Sequence, residues 1–116
     1  MNTKDLYAQI QAKKTMLCVG LDTDFNKMPE HIQRLASDGE IAVRGELLKG
    51  TARSLYEFNK AIIDATSEHC VAYKPNLAFY ECYGREGMLA LEKTVDFIRN
   101  NHRELFFIAV AMRGDI

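Results

Sequence analysis

The sequence has no block of like charges, and 15 lysines and arginines against 16 aspartates and glutamates leave a formal net charge of −1. That balance argues against a dedicated nucleic-acid surface and against a basic membrane anchor. No apolar run approaches the roughly 20 residues that cross a bilayer. Met1-Asn2-Thr3-Lys4-Asp5 opens into a polar, amphipathic stretch without the charged-then-apolar order of a secretory signal, so a cytoplasmic setting is expected. Cysteine is scarce, with Cys18, Cys70 and Cys82 odd in number and widely spaced. Buried, reduced thiols are expected rather than disulfides or a metal site. His31, His69 and His102 are scattered, and no ligand role is assigned to them. A glycine-rich phosphate loop is also missing, because Gly84 and Gly87 merely bracket Arg85-Glu86.

What is present is an ordinary globular composition, 47% hydrophobic and 27% charged over 116 residues, enough for one small domain with a core. The patterning alternates between two periods. Leu6 and Ile10 lie one turn apart and predict a covering helix over 3–13. Met16 to Leu21 is a continuous apolar run closed by Asp22, the pattern of a strand buried on both faces. Pro29 is placed to start a brief helix through Leu35, which Asp38-Gly39 ends. Over about 44–68, Leu47, Leu48, Ala52, Leu55, Phe58, Ala61 and Ile62 fall at three- and four-residue steps and predict a long core-facing helix. Cys70 to Tyr73 reads as a second buried strand, turned by Lys74-Pro75-Asn76. Met88, Leu91, Val95 and Ile98 predict a helix at about 85–100, and Leu105 to Met112 a third strand.

Strand–helix–strand–helix–strand, with apolar strands, is the α/β pattern of a parallel sheet built from crossovers. Three strands are too few for a complete barrel of eight, which takes roughly 250 residues. A single partial domain over 1–116 is therefore expected, with an edge that association or further chain would cover. Parallel sheets gather their chemistry at the C-terminal ends of strands. Here those ends read Gly20-Leu21-Asp22-Thr23-Asp24, Lys74-Pro75-Asn76 and Arg113-Gly114-Asp115. Any one such charge is ordinarily a solvated loop residue, but three strand ends together point to a polar site on one rim. The aromatics Tyr73, Phe79, Tyr80 and Tyr83 suit packing of the following helix better than a stacking platform for a base. Arg113-Gly114-Asp115 spells an adhesion tripeptide that is read as chance.

The same residues resemble a known family. Leu17-Cys18-Val19-Gly20-Leu21-Asp22-Thr23-Asp24 resembles the first-strand signature of the longer bacterial type of orotidine 5′-monophosphate decarboxylase. Phe58 to Thr66 is similar to the helix that follows, and Tyr73-Lys74-Pro75-Asn76-Leu77-Ala78-Phe79-Tyr80-Glu81 is the most specific match. The resemblance implies the N-terminal half of a TIM (β/α)8 barrel, about its first three strands. It also implies an enzyme that converts orotidine 5′-monophosphate to UMP and CO2 without metal or cofactor, with a site shared across a homodimer. By position, Asp22 would hold the ribose hydroxyls and Lys74 would belong to a Lys-Asp-Lys-Asp array at the reacting carbon. Asp115 would reach into the neighbouring subunit's site, with Ile116 beside the base. The phosphate-gripping residues of the family lie on late strands, so nucleotide affinity is expected to be poor.

The sequence departs from the family at two positions. Where these enzymes read Asp-Ala-Lys-Arg-Gly-Asp-Ile, this chain reads Val110-Ala111-Met112-Arg113-Gly114-Asp115-Ile116. Val110 stands at the family aspartate and Met112 at the lysine that protonates the carbanion. Residues two apart on a strand share a face, so both changes strike one spot. Methionine has lysine's reach but neither charge nor proton, and loss of a positioned general acid costs about 10²–10⁴-fold in rate. Removing one member of a buried charge pair strands the other at roughly 3–5 kcal/mol, whereas replacing both with apolar groups is often neutral. The pair therefore reads as a tolerated neutralisation, and an inactive chain is expected from Val110, Met112 and the missing C-terminal half of the barrel. The alternatives are a non-catalytic binding or scaffold relic and an engineered half-barrel fragment.

Overall fold

The computed structural model describes residues 3–108. The predicted positions Val110, Met112, Asp115 and Ile116 lie outside the described residues.

Helix α1, Thr3–Lys13, buries none of its residues. It is held by its last one: the Lys13 ammonium donates to the carbonyls of Ser67 (2.8 Å) and Cys70 (3.0 Å). Strand β1 is Cys18–Gly20. A 3-10 turn, Phe25–Lys27, follows and is capped by Asp24, whose carboxylate accepts from the Asn26 N–H at 3.0 Å. The brief helix after Pro29 forms as α2, Glu30–Gln33, and runs on as a 3-10 turn through Ser37. Strands β2 (Ile41–Val43) and β3 (Glu46–Leu48) make an antiparallel hairpin. Then come α3 (Gly50–Thr66), β4 (Ala72–Lys74), α4 (Leu77–Glu81), α5 (Gly84–Asn101) and β5 (Phe106–Phe107).

Strands β1, β4 and β5 form one parallel sheet in that order, with Val19 beside Tyr73 and Tyr73 beside Phe107. This is the expected βαβαβ arrangement. Side chains alternate across a pleat, so Val19, Tyr73 and Phe107 share one face, against which Ile63, Ile98 and Leu105 pack. Cys18, Gly20, Ala72, Lys74 and Phe106 share the other face by the same register. A second cluster, Met28, Leu48, Ala52, Leu55, Tyr56 and Ala90, fills the space between the hairpin, α3 and α5. Burying each leucine or isoleucine here contributes about 1.5–3 kcal/mol.

Three expectations are corrected. The helix predicted to start at 44 begins at Gly50, and the residues before it form the hairpin. Its turn is Arg44-Gly45, both at positive φ (49° and 85°), the conformation that two-residue hairpin turns require. Leu47 is 57% exposed and Leu48 fully buried, the alternation of a strand rather than a helical stripe. The first strand is not buried on both faces: Met16, Leu17, Cys18 and Gly20 are all exposed. For the same reason the cysteine expectation holds only for Cys70, since Cys18 and Cys82 are exposed; all three are free thiols. No helix among the described residues is long and apolar enough to cross a membrane.

The hairpin is tied to α5 by an ion pair. Lys93, 4% exposed, lies 2.7 Å from the Glu46 carboxylate and 4.0 Å from Asp96. The hydrogen bond to Glu46 lifts the Lys93 ammonium above its usual range. Helix α5 also runs close to α4, because Gly87 leaves no room between them: a Cβ there would lie 1.9 Å from the Tyr80 carbonyl oxygen.

Gly87→Ala is therefore expected to destabilise the fold by about 3 kcal/mol, the upper range for overpacking, because the atom it strikes is backbone. A urea titration that moves by less than the experimental scatter would exclude the close approach. The buried Tyr73 phenol gives a pH prediction. Burial pushes its ionisation well above the usual tyrosine range, and its single proton is shared between Thr66 Oγ1 (2.7 Å) and the Ile63 carbonyl (3.2 Å), since Thr66 gives its own to the Ile62 carbonyl. A raised folded-state pKa stabilises the fold below the unfolded value, about pH 10, and that contribution fades as pH rises beyond it. Lys93 acts in the same direction. Stability is expected to fall steeply above about pH 10, and less steeply in Tyr73→Phe; parallel pH profiles for the two proteins would contradict this.

Candidate active site

The C-terminal rim of the sheet is built from two adjacent strand ends. Gly20 and Lys74 are partners in register, and the ladder continues one step further, with the Leu21 N–H donating to the Lys74 carbonyl at 3.1 Å. Beyond that the chains diverge, and the Asp22 carboxylate accepts the Asn76 N–H at 3.1 Å. The structure thus brings together Asp22 and Lys74, the two predicted site residues it describes, at neighbouring strand ends. Asn76 in turn caps α4, its side chain accepting from the Ala78 N–H at 3.1 Å. Pro75 between them removes a donor that the turn has no use for.

Lys74 lies on the sheet face opposite Tyr73, the side with Cys18 and Phe106. Its side chain is exposed, and among the described residues no hydrogen bond or ion pair engages its ammonium. Its charge still reaches Cys18: burial raises that thiol's pKa, and Lys74 works against the rise. An unpaired cation on a sheet face, one strand from an exposed carboxylate, can meet an anionic group and hydroxyls of one ligand together. Asp24, also at this rim, is spent locally as the cap of the 3-10 turn, with the Tyr83 hydroxyl 3.4 Å away.

Beneath the rim lies a buried polar cluster that the sequence reading did not find. Asn59 on α3 is fully buried, and its amide makes three hydrogen bonds, using both donors and one lone pair of the oxygen. Its Oδ1 accepts from Thr23 Oγ1 (2.6 Å), and its Nδ2 donates to Tyr80 Oη (3.1 Å) and Thr94 Oγ1 (3.1 Å). Tyr80 passes its proton to the Leu21 carbonyl (2.6 Å), and Thr94 passes its own to the Ala90 carbonyl (2.8 Å). Every hydroxyl proton is placed, so the 3.2 Å approach of Thr23 to Tyr80 carries no further bond. Burial raises the Tyr80 pKa, with the Asn59 amide bond and the nearby Thr23 hydroxyl opposing it. A signal for this cluster was available: Asn59 sits midway between Leu55 and Ile63, and Thr94 midway between Ala90 and Ile98, each at four-residue steps on a buried row. Of the aromatic patch, Tyr73 and Tyr80 are core residues, while Phe79 is exposed.

A cleft of about 600 Å³ lies elsewhere, between the end of α5 and β5, where Arg99, His102, Arg103 and Phe107 line it. It touches neither Asp22 nor Lys74.

No family model matches the sequence. The chain is 49% identical, over all 116 residues, to orotidine 5′-phosphate decarboxylase of Parabacteroides distasonis, covering 36% of that protein. It is 48% identical to the enzyme of the same name from Phocaeicola vulgatus, covering 37% of it. Among solved structures, a Toxoplasma gondii protein described as an orotidine monophosphate decarboxylase superposes with a TM-score of 0.70 at 31% identity, over 97% of this chain and 32% of that one. A Streptomyces avermitilis protein described as an orotidine 5′-phosphate decarboxylase gives 0.62 at 25% identity, over 97% and 33%. The chain thus spans about a third of the length of the relatives it matches. It is similar in sequence over its length, and in the fold of its described residues, to proteins named orotidine 5′-phosphate decarboxylase, and its βαβαβ arrangement is that of the first strands of a TIM barrel.

Proposed function

We propose that this chain is the N-terminal part of a decarboxylase barrel acting on orotidine 5′-monophosphate, and that as written it does not turn over. The observation that carries the reading is the pairing at the rim: Lys74, with no partner among the described residues, beside Asp22 on the adjacent strand. In this reading Asp22 accepts from the ribose hydroxyls, and Lys74 holds positive charge near the pyrimidine carbon that loses its carboxylate. The carbon–carbon bond to that carboxylate breaks, CO2 leaves, and the electron pair stays on the ring carbon. That carbon then takes a proton from a positioned ammonium, so the reaction is general-acid chemistry with electrostatic support. No metal or cofactor is called for.

The family's ammonium at this step corresponds to Met112, and the carboxylate that crowds the leaving group corresponds to Val110. Neither side chain carries charge or proton, so both the stabilisation and the protonation fail together. Nucleotide binding without turnover is the second reading, favoured by the retention of Asp22, Lys74, Asp115 and Ile116 around a neutralised pair. Self-association, with Asp115 contributed to a neighbouring copy and Ile116 beside the base, and a cytoplasmic setting belong to the same proposal.

Decarboxylation of orotidine 5′-monophosphate, followed by absorbance, tests it. The chain as written is expected to be silent; turnover by a Val110→Asp, Met112→Lys double revertant, abolished by Lys74→Ala, would assign the silence to the replaced pair, and a silent revertant would assign it to the strands that the relatives carry outside this span. Restoring a general acid alone is worth about 10²–10⁴-fold. Turnover by the unmodified chain would overturn the proposal.

A further inference from the structure

We propose that Asn59 is a positioning residue, holding the Asp22 carboxylate at the rim through the residues on either side of it. This rests on the reading of Asp22 as a ligand-holding group, and the geometry below Asp22 carries it. Leu21 and Thr23 are 2% and 4% exposed, while Asp22 between them is exposed. The segment is therefore anchored on both sides of a side chain that points away from the core. Each anchor runs to Asn59. On one side, Thr23 Oγ1 donates to Asn59 Oδ1 at 2.6 Å. On the other, the Leu21 carbonyl accepts from Tyr80 Oη at 2.6 Å, and that hydroxyl is itself oriented by Asn59 Nδ2 at 3.1 Å.

The directionality matters. The Tyr80 hydroxyl has one proton and points it at Leu21 because its lone pair is occupied by the Asn59 amide. An aspartate at 59 would reverse this, offering acceptors where Tyr80 and Thr94 need a donor. Bonds sealed from water in a low-dielectric interior are strong and mutually reinforcing, so a segment pinned at both ends loses the freedom that a loop at a strand end normally has. What the pinning delivers is visible at the rim itself. The Asp22 carboxylate sits where the Asn76 N–H meets it at 3.1 Å, across to the turn that follows Lys74. Asn59 touches neither Asp22 nor Lys74, yet it sets where one stands relative to the other.

The test is amide hydrogen exchange by NMR on the whole chain, reading Asn76 against amides inside α3. Thr23→Val keeps the shape and removes the donor to Asn59; Asn59→Leu removes the hub; Thr23→Ser restores the hydroxyl; Asp22→Ala supplies the fully released reference. In Thr23→Val the Asn76 amide is expected to exchange about tenfold faster relative to α3, and its proton shift to move toward that of Asp22→Ala, with both recovering in Thr23→Ser. Asn59→Leu is expected to exceed Thr23→Val if it folds, and Thr23→Val decides the matter if it does not. An Asn76 amide unchanged in a folded Thr23→Val overturns the proposal, as does a change matched equally by the α3 amides, which marks a purely structural role. UMP binding by the unmodified chain is measured separately at millimolar ligand, where even poor affinity registers: its absence there counts against the ligand role of Asp22, whereas the exchange result alone decides what Asn59 does.

Discussion

A single buried amide organises this structure. Asn59 has two N–H donors and a carbonyl oxygen to partner in a place closed to water, and leaving a donor or that oxygen with no partner costs about 1–3 kcal/mol. Satisfying them requires Thr23 after β1, Tyr80 on α4 and Thr94 on α5 to converge on α3. Apolar side chains at these positions would allow the helices to slide or rotate against one another with little penalty. The amide does not, because each hydrogen bond admits one donor, one acceptor and a narrow range of angles. The helical layer and the end of the first strand are thereby set relative to each other by the same group.

The sheet uses that fixed frame. Parallel pairing aligns the ends of β1 and β4, so residues far apart in the chain emerge side by side. Tyr73, turned toward the helices, anchors the strand to α3 through Thr66 and Ile63, and its neighbour Lys74 is thereby turned the other way. The alternation of one strand thus serves stability with one residue and leaves the next free for chemistry. The hairpin and the Lys93–Glu46 ion pair brace α3 and α5. The close approach of α4 and α5 at Gly87 brings Tyr80, on the short helix after β4, to the depth at which it meets Asn59.

Legibility in the sequence followed the reach of each interaction. The main helices, the three parallel strands and the turn at Lys74-Pro75-Asn76 were readable, because periodicity and proline act locally. Asp22 and Lys74 were readable as rim residues because the C-terminal ends of parallel strands are where such groups gather. The hairpin was not readable, since Leu47 and Leu48 fit a helical step as well as a strand, and only two positive φ angles at Arg44-Gly45 decide between them. Cys18 was misread as buried because an apolar run looks the same whether one face or both are covered.

What the sequence by itself determined is therefore the order and kind of the main elements and the chemical character of the rim, because these depend on residues within a few positions of one another. Which face of β1 is covered, where α3 starts, and the joining of Asn59 to Thr23, Tyr80 and Thr94 were decided only by tertiary structure. Those partners lie 36, 21 and 35 residues away along the chain. A hydrogen bond between them exists only once the helices have packed, and no local pattern specifies which donor will meet which acceptor.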